Sequence, residues 1–406
     1  MRVLLTTLLV AFAVAQKGGL EDELKNVFGT APGLETIKVN PTETPPTLVG
    51  RDGAPCKCLP YYLCDKDHNG IDYNNASVTG WGKLDIRFGE DDEKPTRKCQ
   101  ETVELCCTIP KELEPITSST ETPIDPVTVK PVKPKLKGCG YRNPKGVDFT
   151  ITGGTGREAE YGEFPWVVAL IASNGSLVGV GGIIHPQVII TGAHIATKFT
   201  PGTLKIRAGE WDTSTMKERL PYQEREIHEI YSHHDFHPKS LRNDLALLQL
   251  TEPLNLDEHI NMICLPEQDE SFDTSVGCIA NGWGKTVFGA KGIYAVIMKK
   301  VEINMVPYNR CLTLLRRTRL GPDFTLHNSF VCAGGEEGKD LCTGDGGAPL
   351  ACPMGDDRFK LAGLVAWGIG CGGKDIPSVF AGVSNFRDMI DAKMNEWGYG
   401  VSSYTI

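Results

Sequence analysis

Fourteen cysteines, divided into two sets of very different density, constrain this chain more than any other feature. Cys56, Cys58, Cys64, Cys99, Cys106 and Cys107 crowd one short region. Cys139, Cys264, Cys278, Cys311, Cys332, Cys342, Cys352 and Cys371 are spread over the rest. A module as small as residues 55–109 cannot hold together on apolar burial alone, so cross-links are its expected core. Zinc is the competing use of clustered cysteines. Cys56-x-Cys58 and adjacent Cys106-Cys107 do not make two C-x2-4-C knuckles, and an oxidising compartment favours disulfides.

The N-terminus indicates that compartment. Met1-Arg2-Val3 is a basic start, Leu4 to Val14 an apolar run, and Ala13-Val14-Ala15 a small-x-small cleavage site before Gln16. Residues 1–15 therefore read as a secretory signal, too short to span a bilayer. No later stretch reaches about 18 uninterrupted apolar residues, so the expectation is a secreted, extracellular protein without a membrane partner. A formal charge of -9, from 42 basic and 51 acidic residues, argues against nucleic-acid partners.

Composition divides the remainder. Residues 16–54, rich in Gly, Pro, Thr and acids without an apolar period, read as a flexible extension. In the cysteine-rich module, Asp65 to Lys98 forms a long connection in which Asn75-Ala76-Ser77 is a glycosylation acceptor. Residues 110–138 are a Pro/Thr-rich, semi-extended linker. From residue 139 to 406, short aliphatic runs such as Val167 to Ile171, Val188 to Thr191, Leu245 to Leu250 and Leu361 to Trp367 alternate with Gly, Pro and Asp/Asn turns. That pattern predicts a β-rich domain. Phe386, Met389, Ile390, Met394 and Trp397 recur at helical steps, predicting a terminal helix over Ser384 to Trp397 with Ser384 as its cap.

Three separated frames bring chemistry to this domain. Thr191-Gly192-Ala193-His194 supplies a histidine, Asn243-Asp244-Leu245-Ala246-Leu247 an aspartate, and Leu341-Cys342-Thr343-Gly344-Asp345-Gly346-Gly347-Ala348-Pro349 a nucleophile-loop frame. Acyl transfer by Ser-His-Asp needs an oxygen that the base can deprotonate. Gly346 stands where that serine should be. Thr343, three positions away, is aimed elsewhere, and near-attack geometry tolerates little displacement. The amides of Gly344 and Gly346 retain the form of an oxyanion-stabilising pair.

With Ile151-Thr152-Gly153-Gly154 and Gly282-Trp283-Gly284, these frames occur in order at compatible spacings. Residues 139–406 thereby resemble the trypsin-like fold, an all-β pair of antiparallel barrels with a C-terminal helix. Residues 55–109 resemble a clip domain. The tandem resembles the arthropod clip-domain serine protease homologues, and within them the non-catalytic prophenoloxidase-activating factors of insect haemolymph.

The resemblance implies disulfides Cys56–Cys106, Cys58–Cys99, Cys64–Cys107, Cys139–Cys264, Cys278–Cys352, Cys311–Cys332 and Cys342–Cys371. It makes His194 a former base and Asp244 its orienter, with no catalytic residue remaining. It places Asp340 at the base of a specificity pocket whose wall is altered by Ser378, with Ala348 a further departure from the usual glycine. Val180 and Ile195 replace the usual histidine-loop disulfide. Val147-Asp148-Phe149-Thr150 puts no basic residue before Ile151, so Asp345 is expected to lack a new N-terminal partner and to find other donors.

A structural calcium is also implied. Its expected ligands are the Glu210 side chain, backbone oxygens of Asp212 and Thr215, and Glu218, with Glu224 the alternative to Glu218. The implied role is a secreted, non-enzymatic cofactor for prophenoloxidase activation in melanization. An upstream clip-domain trypsin-like protease would process it at Arg97–Lys98, or alternatively at Arg51–Asp52. The product would bind phenoloxidase and form a homo-oligomer. The competing role is a protease-like decoy or inhibitor that binds a haemolymph protease or its substrate. A clip cleft lined by Leu59 to Leu63 and Trp81 is the expected contact, although in so small a module the same aromatics serve equally as core. Asn174-Gly175-Ser176 is a second glycosylation acceptor.

Overall fold

Alternating apolar residues and frequent Gly/Pro turns build sheets here, with helices confined to a few connections. A computed structural model describes residues 55–64, 83–85, 99, 103–108, 138–152, 155–285, 294–339, 344–355 and 358–406. The signal, Arg51–Asp52, Asn75, Trp81, Arg97–Lys98, Asp340, Cys342 and Thr343 lie outside the described residues.

The cysteine-rich module contributes strands β1 (Lys57–Pro60), β2 (Lys83–Asp85) and β3 (Glu104–Cys107). β1 pairs antiparallel with β3, placing Cys58 opposite Cys106. Disulfides Cys56–Cys106, Cys58–Cys99 and Cys64–Cys107 staple the pair. β2 leaves the module to run parallel to β4 (Thr150–Thr152), with Leu84 opposite Ile151.

Strands β5 (Val167–Ala172), β6 (Leu177–His185), β7 (Val188–Thr191), β8 (Leu204–Ala208), β9 (Gln223–Ser232) and β10 (Ala246–Leu250) close a barrel in the order β10-β7-β6-β5-β8-β9. Closure leaves no unpaired edge. The inner residues Val168, Leu170, Ile183, Ile189, Ile206 and Leu248 are completely buried.

The second sheet comprises β11 (Cys278–Gly282), β12 (Lys299–Ile303), β13 (Met305–Val306), β14 (Phe330–Ala333), β15 (Pro349–Pro353), β16 (Phe359–Trp367) and β17 (Ser378–Gly382). Its order is β12-β11-β15-β16-β17-β14-β13. The edge strands β12 and β13 are separated only by Asn304, whose carbonyl accepts the Gly334 N–H. One bent strand therefore serves both edges, and the sheet curls into the second barrel. Cys278–Cys352 and Cys311–Cys332 brace it, and Cys139–Cys264 ties the chain entering the domain to its body. Cys371 is likewise disulfide-bonded.

Helices are α1 (Ala193–Ala196), α2 (Tyr308–Arg316) and the terminal α3 (Arg387–Glu396). Ser384 does not cap α3. It is buried in a 3-10 turn over Val383–Phe386, and Phe386 occupies the N-cap without a side-chain hydrogen bond. Burying Val383 and Phe386 together tightens the backbone one turn before the α-helix begins.

The cysteine-rich module packs directly on this body. Tyr61 is fully buried, its ring edge-on to Phe149 at 5.0 Å between centroids. Its hydroxyl donates to Asp148 Oδ2 at 2.5 Å, and Arg219 Nη2 reaches Asp148 Oδ1 at 2.7 Å. Lys217 Nζ reaches Glu104 Oε1 at 2.7 Å. Burial, reinforced by the Asp148 charge, pushes the Tyr61 phenol far above its ordinary pKa. Tyr61 is thus an internal anchor and not part of an open cleft.

Candidate functional site

The antiparallel pairing of β10 with β7 sets Ala246 opposite Thr191. Asp244, just before β10, is thereby delivered beside His194, in the helical turn that follows β7. Asp244 is fully buried. Its Oδ2 lies 2.6 Å from His194 Nδ1, and its Oδ1 accepts the His194 backbone N–H at 2.7 Å. Two contacts to one residue fix the ring and leave Nε2 as the outward nitrogen.

The loop that Nε2 faces is shaped by glycine. Gly347 has φ +73, and a Cβ there would collide with Thr191 Oγ1 and the Val180 carbonyl. Only glycine suits both demands. Gly346 differs, since its φ lies outside the left-handed region. The backbone would accept an L side chain, but a Cβ built there lies 2.8 Å from His194 Nε2 and 3.2 Å from Ile195 Cδ1. The imidazole and Ile195 border the space that a serine side chain would use. Val180, the other residue at the position of the usual disulfide, is buried and donates its N–H to the Gly346 carbonyl.

Neighbouring positions are also tightly packed. A Cβ at Gly344 (φ +106) would meet Tyr294 Cε1 at 2.7 Å, so this ring lies against the backbone of the glycine-rich loop. Nothing in the sequence pattern singles out Tyr294, which comes from a distant connection. Ala348 is fully buried, and Ser378 is buried in β17 opposite Ala333.

The segment that would form a new N-terminus is held elsewhere. Ile151 N–H donates to Glu160 Oε2 at 2.7 Å, while Asp345 Oδ1 accepts the Gly284 N–H at 2.8 Å. Burial raises the Glu160 pKa to about 7, with Glu163 adding to the shift and the Ile151 N–H, Lys300 and Arg142 opposing it.

A third group of residues surrounds the expected cation loop. Glu210, Asp212, Thr215 and Glu218 are all buried. Glu210 is held by Arg207 at 2.8 Å and by the Trp211 N–H. The Asp212 carbonyl accepts the Thr215 N–H, closing a turn, and Asp212 Oδ1 accepts from Ser214. Asp212 Oδ2 and Glu218 Oε1 are buried without a hydrogen-bond partner. Desolvation, with Glu210 and Asp212 nearby, pushes Glu218 up to about 8. Glu224 turns away to Lys205 and Arg207. Two orphaned carboxylate oxygens suit a hard cation, although Glu210, Asp212 and Glu218 do not bring three carboxylate oxygens within 4.8 Å of one another. Among the described residues, tighter donor clusters are His233 with His234 and Asp235, and Cys58 with Cys99 and Glu104. Both cysteines of the latter are bonded to other cysteines or each other, Cys58 to Cys99.

Asn174 lies on the exposed β5–β6 turn, where Oδ1 accepts from the Ser176 N–H and hydroxyl. Among the described residues no helix is long and apolar enough to cross a membrane.

Comparison with known proteins agrees with this architecture. Residues 154–390 match the family model described as Trypsin, and residues 45–108 match that described as Serine protease Clip domain PPAF-2. The chain is 45% identical over 299 residues to Phenoloxidase-activating factor 2 of Galleria mellonella, covering 70% of this chain and 98% of that protein. It is 37% identical over 343 residues to Inactive CLIP domain-containing serine protease A8 of Anopheles gambiae, covering 82% and 87%. A second mosquito relative, Inactive CLIP domain-containing serine protease A28, is 35% identical over 352 residues, covering 84% and 90%.

Proposed function

We propose, from the premise that this chain belongs to the clip-domain serine protease family, that it is a secreted, non-catalytic cofactor for the proteolytic activation of prophenoloxidase. The absence of a side chain at Gly346, beside His194 Nε2, carries this reading. The side chains nearest the position of the missing Cβ are a histidine and an isoleucine, and neither offers the oxygen on which an acyl-enzyme is built. His194 remains ordered by Asp244 as part of the packed barrel. Phenoloxidase activation in the printed name of the Galleria relative, and the word inactive in those of two mosquito relatives, support the same role.

An upstream trypsin-like protease cuts Arg97–Lys98, a basic pair in the module's long connection, and the processed chain binds phenoloxidase and self-associates. A structural calcium would take Glu210, Asp212, Thr215 and Glu218 as its ligands, a reading supported by the two unpartnered buried oxygens of Asp212 and Glu218. It would neutralise these carboxylates and fix their loop.

Purified reconstitution tests the reading. Prophenoloxidase, its activating protease and this chain should yield full phenoloxidase activity and a larger particle only when the chain has been processed. No stimulation by the processed chain defeats the proposal. Retention of a protease without phenoloxidase in a pull-down supports the decoy role instead.

A further inference from the structure

We propose that the exposed arginines of α2 are a docking surface for the acidic run Glu90-Asp91-Asp92-Glu93 of a second copy of this chain, made available by the cut at Arg97–Lys98. This rests on the processing and self-association proposed above and supplies their contact. α2 buries Cys311, Leu314 and Leu315 and turns Arg310, Arg316 and Arg317 to solvent, with Arg319 exposed in the turn that follows. Arg316 Nε donates to the Phe324 carbonyl at 2.8 Å, and among the described residues no carboxylate pairs with any of the four. Between Glu302 and Glu336 the only acid is Asp323, so this stretch carries a local charge of +3 in a chain of -9. Helix stability explains part of this. Arg316 and Arg317 stand at the C-terminal end, where the helix dipole favours a cation, but Arg310 stands in the first turn, where it does not.

Charge selects the occupant. Glu90 to Glu93 is the longest unbroken run of acids in the chain. Before the cut, residues 90–98 hold four acids against Lys94, Arg97 and Lys98, a net of -1. Hydrolysis after Arg97 consumes one water, leaves an α-carboxylate on Arg97 and places Lys98, with a new α-amino group, on the other fragment. Residues 90–97 then carry -3. Lys98 stays beside Cys99, which is bonded to Cys58, while residues 65–97 remain joined to the clip only at Cys64. The clip packs through Tyr61 on Phe149, whereas α2 packs with Leu326, Phe330 and Val379 in a separate cluster. Each copy therefore offers an acidic arm at one place and a basic helix at another, which makes the contact between copies heterologous.

Sedimentation of the full chain, cut after Arg97, reads the contact. Self-association should weaken at least about tenfold as salt rises from about 0.05 to about 0.5 M. Arg310→Glu/Arg317→Glu should weaken it at least about tenfold at low salt, and so should Asp91→Lys/Asp92→Lys. An equimolar mixture of the two variants should recover association, because reversed arms then meet reversed helices and native arms meet native ones. Both arginines are exposed, and the salt titration of the unaltered chain stands if a variant does not fold. Association unchanged by either double substitution overturns this docking and leaves self-association standing. Failure of the mixture to recover gives the arginines a different occupant and also overturns it. Absence of association by the cut, unaltered chain at low salt overturns the self-association reading and the docking with it.

Discussion

Restoring one atom group at Gly346 should not by itself restore proteolysis. In Gly346→Ser the new Cβ would press on His194 Nε2 at 2.8 Å, so the ring must swing and loosen its hold on Asp244. We expect no turnover of peptide esters by the native chain, and Gly346→Ser to remain inefficient at proteolysis, as measured by ester assay and active-site titration. Efficient cleavage by that variant would refute the obstruction. Glu160 makes a second test at this scale. Its pKa is about 7 in the fold against an ordinary 4.5, because burial disfavours the charge more than Lys300, Arg142 and the Ile151 N–H favour it. The folded chain therefore holds a proton that the unfolded chain releases between those values. This contribution to stability is complete below 4.5 and is lost as pH rises through 7. Glu160→Gln should flatten that part of a plot of Tm against pH, and an unchanged slope would assign the dependence elsewhere.

At the scale of elements, α3 carries two buried cations, Arg387 and Lys393, and Arg387 ties it to the body. Arg387 donates to the Pro266 carbonyl at 2.7 Å and to Asp391 at 2.8 Å, and its guanidinium lies over Tyr404. Arg387→Met leaves that carbonyl and carboxylate short of a donor, so we expect a loss of about 1–3 kcal/mol. A lower urea midpoint with an unchanged slope would measure it. The strands most legible in the sequence are those with dense aliphatic runs, such as β7 and β16, because burial on both faces leaves little else to choose. β9 escapes notice because Gln223 to Ser232 is mostly polar or charged and only Ile227 is buried. β15 escapes because prolines bound it. The His194–Asp244 pair and Gly346 were legible because ordered frames carry them. Tyr294 against Gly344 and Tyr61 on Asp148 were not, because each joins segments far apart in the chain, and Ile151 on Glu160 was not, because a turn contact nine residues apart has no periodicity to mark it.

At the scale of the molecule, the proposed function assigns the clip and the body separable roles. In the reconstituted system, a clip-deleted chain should fail to stimulate phenoloxidase, and full stimulation by it would reject a clip-borne function. Limited proteolysis of the intact chain should expose Lys98 as a new N-terminus, and a unique Asp52 end would place the switch outside the module. The three clip disulfides give such a cut an unusual outcome. Each joins a cysteine at or before Cys64 to one at or after Cys99. Severing any bond between those positions therefore frees a chain end without subtracting a single atom from the particle. The event is invisible to mass under oxidising conditions except for one added water, and plain under reduction. A protein built this way stores the fact of having been cut as a change of connectivity, which reclosing the fold cannot erase.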